Sequence, residues 1–584
     1  MRFAAPMSLL LLALVACKND PEPDPTREPG PKPVQRDLLS AEARLVRASI
    51  ATRGTRPSPA ELEQIRANPD ALGELVDAYV ESPAFGETIK DMHGELFLTR
   101  TDADDQLPSV GLAAGYTANE IHAATADEPL ELVRYVVEND LPYTEIVTAD
   151  YTLSNEVMAT LYGIDIDPEV QGWRKARWPD GRPHAGVLSS SQLWRRHVSA
   201  GSNFHRLRAN VLAETLLCES FAERDLTVDG GVDLTDEAAV ARAVRENPNC
   251  IGCHQALDPL AANLWGFKRQ IDPRAVEGSH ENDACAPDPD QRLPPIDEGD
   301  LPTDYCYPLV MYTPAKEDRW EELDLRPPGF YGAPADDLAD VGRFIASDPR
   351  FAQCTVRRFY GWFSQQDPGH LPLSLIETLQ DDFVASGYDA KALTKEILLS
   401  EPYAAVTPAA EGDAPLLSLR PDAYAAIVED LTGFEWRIQP MGACGNSCWT
   451  EVDLTTSDRW GYRALFGGID GFQVLLPTHT ATPNKVLVLQ RLSSEAASYV
   501  VEHDLAAAAA DRRLLGLVEA DTTDQASVEA QLVALHDRVL GTHTDEDIAE
   551  TWALFDATRQ ATDTTEAWTL IISLLLQDPR LVYY

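Results

Sequence analysis

Apolar positions recur at helical spacing along most of this chain. In SPAELEQIR (58–66) Ser58 stands at an N-cap, Pro59 in the first turn, and Glu61 where a capping box closes. DALGELVDAYVESPAF (70–85) continues with apolar residues three and four apart. Residues 128–163 and 203–222 read the same way, and the period returns from Asn484 to the end. Helical runs close repeatedly on proline followed by a large residue: VESPAF (80–85), ASDPRF (346–351), LSEPYA (399–404) and LQDPRL (576–581). Proline is expected to stop each helix, with the large residue packing back on it. The spacing is irregular, so this is not a solenoid repeat.

Two stretches break the period. Residues 273–335 are rich in Pro, Asp and Gly and predict a long ordered loop. Its acids (ACAPDPDQRLPPIDEGD) match no calcium-loop spacing and read as solvated. Residues 436–485 are Gly- and aromatic-rich, with short candidate strands. The expected fold is mainly α: a multi-helix body with a Pro/Asp-rich loop and a small irregular or β insert. Its expected division is a signal peptide (1–17), a polar tether (18–40), an N-terminal helical domain (41–200), a second helical domain (201–410), a mixed insert (411–485) and a C-terminal helical region (486–584).

The first residues change the picture. Arg2 and the short apolar run from Met7 to Ala16 read as an export signal. Leu14-Val15-Ala16-Cys17 has the form of a lipobox, and the tether KNDPEPDPTREPGPKPVQRD follows at once. Cys17 is therefore the expected lipidation site, attaching the protein to a membrane through its acyl chains. Lys18 after it, as in Gram-negative lipoproteins, points to the outer membrane. Lys+Arg 48 against Asp+Glu 94 leaves a net charge of −46. Such a surface repels phosphate, which excludes nucleic acid and anionic headgroups as partners.

Export makes disulfides permissible. Of nine cysteines, Cys17 goes to lipid, and Cys250 and Cys253 form a unit discussed next. Six remain. Cys444–Cys448 and Cys285–Cys306 are close in sequence, which leaves Cys218–Cys354 as the third pair.

The unit is NPNCIGCHQALDP (247–259). On a helical turn Cys250 and Cys253 share a face, with His254 beside them. Two thioethers would attach one haem c covalently, with His254 as proximal iron ligand. A zinc site lacks a second Cys/His pair, and a thioredoxin-like dithiol lacks a parallel-sheet context. The remaining rival is a small disulfide beside an incidental histidine. For a distal ligand, Met311 in CYPLVMYTP is the candidate, against a plain packing role among Tyr307, Leu309 and Tyr312. His205 in SNFHRLR is the alternative, although its basic neighbours suggest an exposed helix face. No nucleophile–base constellation, phosphate loop or carboxylate pair stands out. The other acids and histidines read as solvated surface.

NCIGCHQALDPLAANLWGFKRQID (249–272) resembles the haem segment of the planctomycete-type cytochrome c domains, also common in myxobacterial exported proteins. Asp258-Pro259-Leu260 match their pattern. Ala261 replaces the usual Gly, and Trp265-Gly266-Phe267 and Asp272 stand near the expected places of a different apolar stretch. The segments 53–65, 81–87, 184–220, 336–362, 417–434 and 567–584 are similar to other parts of the same family. The resemblance implies a haem-c lipoprotein and no particular role; the haem itself makes electron transfer or a haem-dependent oxidation the expected function, with a redox partner protein. The competing expectations are a haem-free, disulfide-stabilised binding or scaffold lipoprotein, and an extracellular catabolic enzyme.

Overall fold

Local chemistry sets where the helices begin. In α2 (Pro59–Ala67) the Ser58 hydroxyl accepts from the Glu61 N–H, and the Glu61 carboxylate accepts from the Ser58 N–H at 2.6 Å. The expected capping box is therefore present. The preceding helix, α1 (Ala41–Arg53), ends at Gly54, whose φ of 67° suits a residue without Cβ. The described residues of this computed structural model are 36–101, 107, 109, 111–199, 203–223, 232, 233, 235–268, 307–439, 451–457 and 460–584. Cys17, Cys285, Cys306, Cys444, Cys448 and the acidic run of the long loop lie outside them.

The chain is mainly α-helical, with 22 helices and three two-stranded antiparallel sheets among the described residues. After α2 come α3 (Leu72–Val80), α4 (Pro83–Phe97), α5 (Ala118–Glu138), α6 (Glu145–Thr148) and α7 (Glu156–Tyr162). Strands β1 (Thr152–Ser154) and β2 (Arg174–Ala176) pair around α7, with Thr152 opposite Ala176. Then follow α8 (Ser191–Arg196), α9 (Arg206–Leu217), α10 (Glu237–Glu246), α11 (Pro248–Ala262) and α12 (Arg319–Glu322). A hairpin, β3 (Gly329–Phe330) and β4 (Ala333–Pro334), leads to α13 (Leu338–Ser347), α14 (Pro349–Ser364), α15 (Leu373–Ala385) and α16 (Ala390–Leu399). The last part holds α17 (Pro421–Thr432), the pair β5 (Arg437–Ile438) and β6 (Val452–Asp453), and then α18 (Pro483–Ala506), α19 (Gln525–Leu540), α20 (Asp545–Ala561), α21 (Thr564–Leu576) and α22 (Pro579–Val582). The β5–β6 pair lies in the Gly- and aromatic-rich stretch where short strands were expected.

Two expectations need correction. The helix read over 128–163 begins at Ala118, where Thr117 and Glu120 make a capping box, and ends at Glu138. Pro129 lies inside it, although proline favours a first turn. The recurrent proline also does more than stop a helix. Pro83, Pro349 and Pro579 each begin the next one, at the position whose N–H would be unpaired in any case. Asp348 and Asp578 cap two of these starts with their side chains. The large residues two places on, Phe85, Phe351 and Leu581, are buried. Pro402, in the fourth copy, lies in a turn.

Burial organises the helices around three apolar clusters. The first runs from Leu45 to Leu417 and draws on both helical segments before residue 410. The second holds Ile50 and residues from Leu419 to Val582. The third is small and joins α5, α7 and the 307–311 segment. Helix α1 serves the first two, through Leu45 and Ala48 on one side and Ile50 on the other. The chain end crosses the same boundary: Leu417 and Tyr584 exchange backbone hydrogen bonds of 3.0 and 2.9 Å, and buried Arg47 donates to the carbonyls of Tyr403 and Tyr584.

Candidate functional site

Helix α11 carries the Cys-x-x-Cys-His motif on its first turns. Asn247 caps it by accepting from the Asn249 N–H at 3.0 Å, and Pro248 opens the helix. Cys250, Cys253 and His254 follow at positions that share one face. Both cysteines are half-buried thiols, and Cys253 packs against the first cluster. Between them, a Cβ built on Gly252 would meet nothing within 4 Å, so that side of the turn is open.

His254 is held by its own helix. Its Nδ1 lies 2.8 Å from Oδ1 of Asp258, one turn on. Arg206, the first residue of α9, grips the same carboxylate with both arms of its guanidinium, Nε to Oδ1 at 2.7 Å and Nη2 to Oδ2 at 3.2 Å. The Asp258 side chain is only 7 % exposed. Burial would push its pKa up, but the hydrogen bonds from His254 and Arg206 outweigh burial and hold the carboxyl below its ordinary value. An ionised carboxylate accepts and does not donate. Facing it, Nδ1 of His254 carries a proton, and Nε2 takes no part in this network.

Helix α9 is the strut behind this arrangement. Its entry is strained, with Phe204 (φ 53°) and His205 (φ 63°) both in the left-handed region. The His205 N–H is held by the Ser199 hydroxyl at 2.9 Å. Arg208 is fully buried and donates to the carbonyls of Trp194, His197 and Lys268, at 2.7 Å each. At its far end Cys218 bonds Cys354 of α14, with Cα atoms 5.3 Å apart, which is the pair expected by elimination. The Arg206–Asp258 pair lines a small pocket together with Phe204, Ala262, Trp265 and Leu325.

The other expected residues take different places. His205 is not on an exposed helix face. It is fully buried, because the left-handed turn before α9 swings its ring edge-on to Trp265, 4.9 Å between centroids. Met311 is 1 % exposed and packs in the third cluster with Leu309, Met158 and Trp178. Trp265-Gly266-Phe267 is core. The ring of Phe267 lies 4.9 Å from that of Tyr312, which comes so close to Gly266 that a Cβ there would meet it at 2.2 Å. The reading of the remaining acids and histidines as solvated surface also fails. His93 is buried between the Ile89 carbonyl (2.7 Å) and the Tyr143 hydroxyl (2.6 Å). Asp504 is buried while accepting from three backbone N–H groups, those of Arg513, Leu514 and Leu515. Each is satisfied by partners that helix packing supplies.

Asp258 and Arg206 were not singled out as site residues. The first was legible, standing four residues after His254 on a helix. The second was not, since 52 residues separate it from its partner.

A family model described as "PSD4: Protein of unknown function (DUF1592)" matches residues 60–164, the stretch from α2 to just beyond α7. Helix α11 lies outside that match. No curated protein and no solved structure matches the chain.

Proposed function

We propose that this chain is an exported, lipid-anchored protein carrying one covalent c-type haem, with a role in electron transfer or haem-dependent redox chemistry. Cys250 and Cys253 would hold the haem edge and His254 the iron. When bound, the group supplies a one-electron couple whose potential depends on its axial ligands and burial. The observation that carries the reading is the anchoring of His254. Its Nδ1 is spent on a buried carboxylate and its Nε2 is left as donor, one residue from a half-buried thiol with a second three residues further back. Metal-binding histidines are held in this way by a carboxylate on the other ring nitrogen. The matched family is one associated with planctomycete cytochrome c domains, which supports the same reading.

The test is expression with and without a haem c maturation system. With it, the purified protein is expected to stay coloured after denaturation, because thioethers survive unfolding. Cys250→Ala and Cys253→Ala each lose most of the covalent haem. Colourless wild-type protein, with Cys250 bonded to Cys253 by mass spectrometry, overturns the proposal in favour of a haem-free, disulfide-stapled protein.

A further inference from the structure

The acceptor that faces Nδ1 of a ligating histidine has consequences for the iron. A histidine whose Nδ1–H points at a neutral carbonyl remains an ordinary imidazole. One whose Nδ1–H points at a carboxylate gains anionic character and becomes a stronger donor. Asp258 is such a carboxylate. It is nearly buried, so water does not dilute its charge. It is also shared: Arg206 occupies both of its oxygens, and Oδ1 accepts from Arg206 and His254 together. Arg206 is fixed in turn, since its helix is tied to α14 by the Cys218–Cys354 bond, and its guanidinium lies 5.3 Å over the Phe204 ring.

We propose that Asp258 and Arg206 are positioning residues that tune the iron through His254. Asp258 enriches the ligand in electrons and favours the ferric state, and Arg206 limits that effect by drawing on the same carboxylate. This rests on the haem reading above and goes further, for it assigns a centre biased towards the oxidised form.

Redox titration of the haem-loaded, full-length protein tests it. Asp258→Asn keeps the shape and an acceptor oxygen but removes the charge. It is expected to move the ferric–ferrous equilibrium at least tenfold towards ferrous, about 59 mV for one electron. Arg206→Gln leaves the carboxylate wholly to His254 and removes a cation, so its shift is expected in the opposite direction. Asp258→Glu stays near wild type. If the Asp258 variants do not take up haem, the sign of the Arg206→Gln shift decides. Asp258→Asn and Arg206→Gln proteins that hold haem but titrate within threefold of wild type overturn the proposal while leaving the haem reading intact. Wild-type protein without covalent haem removes the haem reading itself.

Discussion

His93 shows what burial does to one residue. Enclosed among Ile89, Tyr143, Phe97 and Phe359, it has its pKa driven down to about 4 by loss of solvent, against which the Ile89 carbonyl is the smaller effect. The folded protein therefore holds His93 neutral, while the unfolded chain protonates it near the ordinary value of about 6.5. Its contribution to stability is complete above that pH and is lost as pH falls towards 4. The loss amounts to about 3 kcal/mol at 1.36 kcal/mol per unit. Urea unfolding at pH 7.5 and 4.5 measures it. His93→Gln lowers stability at both values, but the difference between them is expected to shrink by about 2.5 kcal/mol, the part of that loss that falls between the two. An unchanged difference would show that His93 titrates alike in the folded and unfolded states.

Among the elements, α9 does the most. One end presents Arg206 to α11 and the other is tied to α14 by Cys218–Cys354. The bond spans 136 residues, and closing a loop of that size removes about 4–5 kcal/mol of chain entropy from the unfolded state on the entropic model. Cys218→Ser with Cys354→Ser is expected to lower unfolding stability by up to that much. Alkylation of denatured, unreduced wild-type protein should label neither cysteine. Labelling at either would show that the bond does not form. The helix starts need no such help, for Ser58 with Glu61 and Thr117 with Glu120 close their capping boxes within three residues.

The whole molecule carries a net charge of −46, while its buried cations are largely engaged locally. Lys90, for example, lies between Asp127 and Glu131 at 2.9 and 2.7 Å. The remaining negative charge repels itself across the surface, and salt screens that repulsion. The thermal midpoint is therefore expected to rise from low ionic strength to about 1 M sodium chloride, where the Debye length falls to about 3 Å. A falling midpoint would mean that the ion pairs stabilise the fold more than the net charge opposes it.

Helix class, the Ser58–Glu61 capping box and the shared face of Cys250, Cys253 and His254 were legible in the sequence because each depends on residues within about one helical turn. Periodicity and cap chemistry act at that range, before any tertiary contact forms. Helix α5 starts ten residues before the stretch whose period was read as helical, and it runs on through Pro129. The partner of Cys218 came from counting cysteines, but only the packing of α9 on α14 brings the two Cα atoms to 5.3 Å. His205 looked exposed beside its arginines and is buried, since one left-handed turn reverses where a side chain points. The grip of Arg206 on Asp258 belongs to the same class. Residues so far apart in sequence meet only when the whole core has formed to offset the entropy of bringing them together. Tertiary structure alone decided that the carboxylate behind His254 is shared.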